Sequence, residues 1–218
     1  MRFCRQLEYC VWGILAPFPN NGLWVSTNGG QTALAASTSV PIGGSAFGPG
    51  YNPVTRDLWL GTELSGIFRS TDNGFTWMQE SPAASSGLRD GNIYGMTFDR
   101  NGNVFFGSQG GIWKSSKTST GYFWTNVLKN TNTSAGKGLG ADANGYLYYG
   151  HNHDTLDRTA VYRSTDDGNT WSAYDSGIPA FLEGHEFTVN PADRKLYAII
   201  EDGATNNGWL YCTVNPVQ

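Results

Sequence analysis

Two segments of the chain nearly coincide. Ser70-Thr-Asp-Asn-Gly-Phe-Thr-Trp77 matches Ser164-Thr-Asp-Asp-Gly-Asn-Thr-Trp171, and each follows an arginine, Arg69 or Arg163. A worn copy reads Ser26-Thr-Asn-Gly-Gly-Gln-Thr-Ala33, and another runs from Ser115 to Trp124 with extra residues in the turn. The copies start at 26, 70, 115 and 164. A period of about 45 residues marks one supersecondary unit written several times, and such units bury their apolar faces by stacking on one another.

The strands before each copy also align. Gly22-Leu-Trp-Val-Ser26, Gly66-Ile-Phe-Arg-Ser70, Gly111-Ile-Trp-Lys-Ser115 and Ala160-Val-Tyr-Arg-Ser164 are one strand repeated, and Leu210-Tyr-Cys-Thr213 is a fifth copy without the motif. A preceding strand recurs as Leu58-Trp-Leu-Gly61, Val104-Phe-Phe-Gly107, Leu147-Tyr-Tyr-Gly150 and Leu196-Tyr-Ala-Ile199, with Val11-Trp-Gly13 as its first copy. Turns such as Asp99-Arg-Asn-Gly102 and Asp142-Ala-Asn-Gly145 carry residues that accept positive φ cheaply. Glycine-rich segments at Gly43–Gly48, Tyr94–Met96 and Gly136–Gly140 suit an innermost strand crowded by its neighbours. Each repeat reads as strand A, turn, strand B, loop, strand C, motif turn, strand D. No segment of useful length carries a helical period. The pattern predicts an all-β β-propeller of about five four-stranded blades in one domain, 1–218. Three blades are full (43–78, 92–125 and 136–173). The first lacks an obvious A strand and the last an obvious D strand, so the reading is five blades closed by the two termini, with a fragment of a larger propeller as the alternative. Arg2-Phe-Cys-Arg-Gln-Leu alternates polar and apolar residues, so residues 2–9 are expected to pair with 208–214 and bring Cys4 toward Cys212.

Composition agrees with this plan. Glycine occurs 29 times, aromatics reach 14% and charged residues only 15%, which suits many tight turns and few exposed helices. The net charge is -4 with no lysine or arginine run, which argues against a nucleic-acid partner. No apolar stretch approaches the roughly 20 residues that span a bilayer. Arg2 and Arg5 ahead of Tyr9–Ala16 faintly mimic a signal peptide, but the run is short, Glu8 lies at its edge, and the repeat uses it as a strand. Three cysteines without a CxxC pair indicate neither a disulfide framework nor a zinc site.

The pattern Ser-x-Asp-x-Gly-x-Thr-Trp resembles the Asp-box (BNR) repeat of sialidases, xyloglucan-degrading hydrolases, sortilin-type receptors and a photosystem II assembly factor. Asn52-Pro-Val-Thr-Arg-Asp-Leu-Trp-Leu-Gly61 leading into Gly66-Ile-Phe-Arg-Ser70 is most similar to the xyloglucanase and assembly-factor types. In such families the box is structural and lies away from the active face. The resemblance therefore implies scaffold roles for Ser70, Asp72, Gly74 and Trp77, and for Ser164, Asp166, Gly168 and Trp171. Local bonds from a carboxylate to nearby backbone N–H groups account for the motif. An extracytoplasmic location is suggested by the resemblance alone.

Chemistry is thinly signalled. The Arg-Ile-Pro motif of sialidases is absent, and Arg89, Arg158 and Arg194 have no spacing that marks a carboxylate-binding triad. The resembling xyloglucanases use carboxylates from two propellers, whereas this chain supplies at most one. In a propeller the B–C and D–A loops build the functional face. That rule selects Glu63, Gln109, Asn152, His153 and Glu201 from the former, and Asp90, Lys137, Glu183, His185 and Glu186 from the latter. A hydrolase would need two of the acids about 5 Å, or roughly 6.5–9.5 Å, apart. His151 and His153 share a side in an extended chain, but no third metal ligand is identifiable. Tyr94, Tyr122, Phe18 and Phe181 are aromatics outside the core register and available to a ligand. No cofactor or metal is expected. The expectation is a non-catalytic module binding a glycan or a protein through the loop face, with a glycoside hydrolase of sialidase-like or xyloglucanase-like fold as the alternative.

Overall fold

The computed structural model describes residues 10–13, 23–26, 28, 31–32, 34–35, 40, 46–62, 65–80, 93–108, 110–119, 121–129, 138–142, 144–151, 159–179, 182–190, 195–202, 205 and 207–213. Among them every regular element is a strand. The strands form antiparallel meanders, as expected where short polar turns join short apolar runs. The chain divides into two compact units, residues 1–93 and 94–218.

The first unit holds two sheets. β1 (Cys10–Gly13), β2 (Leu23–Ser26) and β3 (Leu34–Ala35) form a three-stranded one. β4 (Ala46–Asn52), β5 (Asp57–Thr62), β6 (Gly66–Ser70) and β7 (Met78–Gln79) form a four-stranded one. The central strand β5 is buried along its whole length, with Trp59 and Leu60 fully enclosed. The Tyr9–Ala16 run contributes β1, in register with β2 from Cys10↔Ser26 to Gly13↔Leu23.

The second unit holds three sheets. The first comprises β8 (Ile93–Phe98), β9 (Val104–Ser108), β10 (Gly111–Thr118) and β11 (Gly121–Lys129). The next comprises β12 (Gly138–Ala141), β13 (Leu147–Gly150), β14 (Val161–Ser164) and β15 (Ser172–Ala173). The last has three strands, β16 (Glu183–Val189), β17 (Leu196–Asp202) and β18 (Asn207–Cys212). Among the described residues the first and last sheets each have three strands. Residues 2–9 and Cys4 lie outside the described residues, and the expected pairing with β18 falls there. Cys212 is an exposed free thiol.

Apolar side chains fill the layers between sheets. Phe105 and Ile112 meet Leu139, Leu147 and Tyr149 in one layer. Val161 meets Phe187, Leu196, Ala198 and Ile200 in the next. Two glycines let the sheets approach. A Cβ on Gly150 would lie 2.2 Å from the Gly184 carbonyl oxygen, and one on Gly184 would lie 2.6 Å from the Gly150 Cα. Turn chemistry is local. Asp99 Oδ1 accepts the N–H groups of Asn101 and Asn103, and Asp142 Oδ1 those of Asn144 and Tyr146. Gly102 and Gly145 close both turns at φ 83°.

Gly150→Ala is expected to cost about 1–3 kcal/mol, because backbone has to move to admit the methyl group. Gly208→Ala, where the nearest atom would be 3.8 Å away, is expected to stay within roughly 0.5 kcal/mol of the parent. Urea titrations of the two variants check the contrast.

Candidate functional site

The two clean motif turns have nearly identical geometry. In the first, Ser70 Oγ donates to Asp72 Oδ1 at 2.8 Å, and the Thr76 N–H donates to the same oxygen at 2.8 Å. Thr76 Oγ1 donates to Asp72 Oδ2 at 2.6 Å. In the second, Ser164 Oγ, the Thr170 N–H and Thr170 Oγ1 bind Asp166 at 2.8, 2.8 and 2.6 Å. Each serine also accepts the glycine N–H, from Gly74 at 2.8 Å and from Gly168 at 2.9 Å. Each tryptophan donates from Nε1 to that glycine's carbonyl, at 2.9 Å for Trp77 and 3.2 Å for Trp171. Positive φ at Asn73 and Gly74, and at Asp167 and Gly168, bends the chain into place. The worn copy keeps the plan with an amide: Asn28 Oδ1 accepts from Ser26 Oγ and the Thr32 N–H. The third copy is a longer β10–β11 hairpin in which Ser115 Oγ accepts the Val104 N–H at 2.7 Å.

Partial burial pushes both motif aspartates toward protonation, but the bonds from threonine and serine outweigh it. The Asp72 carboxyl is held below the usual carboxylate range and Asp166 falls to about 2. These carboxylates stay charged across the working pH range and spend their lone pairs on the turn. General acid chemistry needs the opposite shift.

A basic residue lies beside each motif strand. Arg69 sits 5.8 Å from the Trp59 ring and pairs with Asp57 at 3.1 Å and Glu80 at 2.5 Å. Lys114 lies over Phe105 and donates to the Asp167 carbonyl at 2.6 Å. Arg163 lies 4.2 Å over Tyr174. These partly desolvated cation–π pairs occupy the arginines in the fold.

The loop residues selected from sequence fall unevenly. Glu63, Asp90, Gln109, Lys137, Asn152 and His153 lie outside the described residues, as do Phe18, Phe181, Arg89, Arg158 and Arg194. His185 and Glu186 stand on β16, where the register shifts between Gly184 and Glu186, so His185 occupies a bulge. Bulges re-aim strands at functional rims. Glu201 on β17 is half-buried and stands opposite Glu183 across the antiparallel pair. Residues so placed have Cβ atoms about 4.5–5.5 Å apart. Tyr94 and Tyr122 are partly buried on β8 and β11.

His151 is 3% exposed. Its ring lies 6.0 Å from Tyr149 and 5.9 Å from Tyr162, and its backbone carbonyl accepts the Gly184 N–H. It therefore packs as a core side chain. Among the described residues no group of three or more His, Cys, Asp or Glu is placed to hold a metal ion. Sequence reasoning passed over Thr62 and Ser108, which follow glycine at the start of their loops. Thr62 Oγ1 donates to the Gly66 carbonyl and accepts the Ser65 N–H, while Ser108 Oγ accepts the Gly110 N–H. The recurrent glycine–hydroxyl step after strand B was the available signal.

Repeated antiparallel meanders of up to four strands, with no helix among the described residues, define a β-propeller of several blades. No family model matches the chain. A xyloglucanase of Paenibacillus sp. is 28% identical over 189 residues, which is 77% of this chain and 18% of that protein. The chain thus spans less than a fifth of that relative. Among solved structures, the GH74 enzyme of Niastella koreensis superposes with a TM-score of 0.61 at 18% identity, over 87% of this chain and 34% of that one. YCF48 of Cyanidioschyzon merolae gives 0.57 at 12% identity, over 85% and 60%. The extracellular domain of the one-component system BT4673 of B. thetaiotaomicron gives 0.59 at 17%, over 82% and 24%. At these identities the structural likeness establishes the fold.

Asp72→Ala and Asp166→Ala are each expected to destabilise the chain by about 1–3 kcal/mol, since charge-assisted bonds are lost. The acid dependence follows from the sign of the shift. A carboxyl with a lowered folded pKa adds stability above its unfolded value, about 3.9, and loses it as pH falls toward 2. Melting curves between pH 6 and pH 2 should show a shallower acid limb for Asp166→Asn than for the parent.

Proposed function

We propose that residues 1–218 form a single β-propeller domain of Asp-box type that acts as a non-catalytic binding module. Its ligand is a glycan or a protein held by the face built from the B–C and D–A loops. The observation that carries this reading is the division of labour among the carboxylates. Asp72 and Asp166 are engaged in turn locks, while Glu183 and Glu201 stand at the loop ends of β16 and β17. Glu63, Gln109, Asn152, His153, Asp90, His185 and Glu186 complete the proposed face. Similarity to a xyloglucanase makes xyloglucan oligosaccharides the first ligands to test, and an extracytoplasmic location follows from the same likeness and from the extracellular neighbour. Among the described residues no helix is long and apolar enough to cross a membrane.

A second reading, a glycoside hydrolase, is favoured by one specific feature. Glu183 and Glu201 stand opposite each other across the β16–β17 pair, so two acids share one rim, as a paired-carboxylate hydrolase requires. Titration calorimetry with xyloglucan oligosaccharides, run beside a fluorogenic glycosidase panel, separates the two. The expected result is saturable binding without turnover, weakened roughly fivefold or more in Glu201→Gln at an unchanged melting temperature. Turnover that disappears in both Glu183→Gln and Glu201→Gln would replace the binding module with the hydrolase. Absence of both binding and turnover across a glycan array would leave a protein as the ligand.

A further inference from the structure

The β5–β6 and β9–β10 hairpins are built alike but differ in the polar atoms they leave unanswered. Register aligns them: Phe68↔Gln79 in one sheet corresponds to Trp113↔Asn126 in the other. The likeness extends to the loop. Gln79 Nε2 donates to the Ser65 carbonyl at 2.9 Å, and Asn126 Nδ2 donates to the Gly110 carbonyl at 2.8 Å. Ser65 and Gly110 each stand just ahead of the glycine that opens strand C. In the β5–β6 hairpin the polar groups close on themselves. Thr62 Oγ1 accepts the Ser65 N–H and donates to the Gly66 carbonyl, and Phe68 carries no polar side-chain atom.

The β9–β10 connection is shorter, and three polar atoms are left over. Ser108 is buried and its Oγ accepts the Gly110 N–H at 3.1 Å, but among the described residues its own proton has no acceptor. Trp113 stands where Phe68 stands and is 8% exposed, and its indole N–H is buried without a hydrogen-bond partner. Asn126 Oδ1 is likewise buried without one. All three residues converge on Gly110. A Cβ there would lie 3.6 Å from Ser108 Oγ and 3.8 Å from Trp113 Nε1, and Asn126 reaches the same residue through its amide. The φ of Gly110 lies outside the left-handed region, so the backbone does not call for glycine at this position. Its missing side chain keeps a small polar niche beside the indole N–H. Buried donors and acceptors left unmade are costly, and native chains hold few of them.

We propose that this niche, at the B–C connection of its sheet, binds one hydroxyl group of a glycan. Two donors and one acceptor are what an alcohol oxygen answers. Its two lone pairs take the Trp113 N–H and the Ser108 O–H, and its proton goes to Asn126 Oδ1. A peptide carbonyl can only accept and an ammonium group can only donate, so either leaves part of the niche desolvated and unpaired. The indole ring stacks on Phe106, so the N–H edge rather than the ring face meets the sugar. This site rests on the reading of the B–C and D–A loops as a ligand-binding face. It deepens that reading by committing the face to a glycan and by assigning Ser108, Trp113 and Asn126 to the orientation of one sugar ring.

The test uses the full chain, labelled with nitrogen-15 at tryptophan, and titrates it with xyloglucan oligosaccharides and with the glycans that an array selects. Trp113→Phe identifies the Trp113 indole resonance. The expected result is that a bound glycan shifts this resonance saturably and slows its exchange with solvent. Trp113→Phe and Gly110→Ala should each weaken binding roughly fivefold or more. Both should melt at the parent temperature without ligand, since the first removes an unmade bond and the second makes only ordinary contacts; an N–H with a structural role would lower the melting point instead. Among singly O-methylated forms of the bound glycan, one should lose affinity for the parent and lose nothing further in Trp113→Phe. Gly110→Ala keeps the test decisive even if Trp113→Phe does not fold. A resonance that stays still at saturating glycan, or parental affinity in both variants, assigns the niche to an ordered water and overturns the site while leaving the binding module in place. No binding of any glycan by the parent overturns the site and the glycan reading together.

Discussion

A hydroxyl at the end of the third strand is the interaction on which each sheet depends. Ser26, Ser70, Ser115 and Ser164 are all essentially buried, and a buried hydroxyl without partners is costly. Each solves the problem by linking backbone that would otherwise be orphaned. Ser70 and Ser164 accept an amide from the turn and donate to its aspartate; Ser115 accepts an amide from the neighbouring strand. The aspartate then fixes the threonine, and the next residue is the tryptophan that caps the layer. Strand pairing, turn conformation and core packing are thereby set by eight consecutive residues.

The same local economy constrains function. A carboxylate that receives three bonds and a lowered pKa is a poor proton donor, so the most regular acids of the chain are withdrawn from chemistry. The cations follow suit. Arg69, Lys114 and Arg163 recur at one register position and lie over aromatic rings, which leaves none of them as a free anion receptor. Burial and the neighbouring Asp142 likewise push the Tyr148 hydroxyl well above its ordinary range, and it donates to that carboxylate at 3.1 Å. Polar groups within the sheets serve the scaffold.

Much of this scaffold was legible in sequence because its causes are local. The strands around Leu58, Val104, Leu147 and Leu196, and the turns at Asp99 and Asp142, are written in residues that bond within a few positions of one another. The candidate site was legible only as a set of loop origins. His151 illustrates the limit. Alternation along an extended chain put it on one side with His153, whereas its packing against Tyr149 and Tyr162 made it core. Nothing within its own loop encodes those two rings.

By itself the sequence determined the repeat, the strand order within each sheet and the Asp-locked turns. Hydrogen bonding over a few residues and the recurrence of short apolar runs suffice for those. The tertiary structure alone decided which distant side chains meet. It placed Glu183 opposite Glu201, brought Gly150 against Gly184, and left the Trp113 indole N–H buried without a partner beside Gly110. Those outcomes depend on register and close packing between strands, and an unanswered donor there has no local signature until its neighbours surround it.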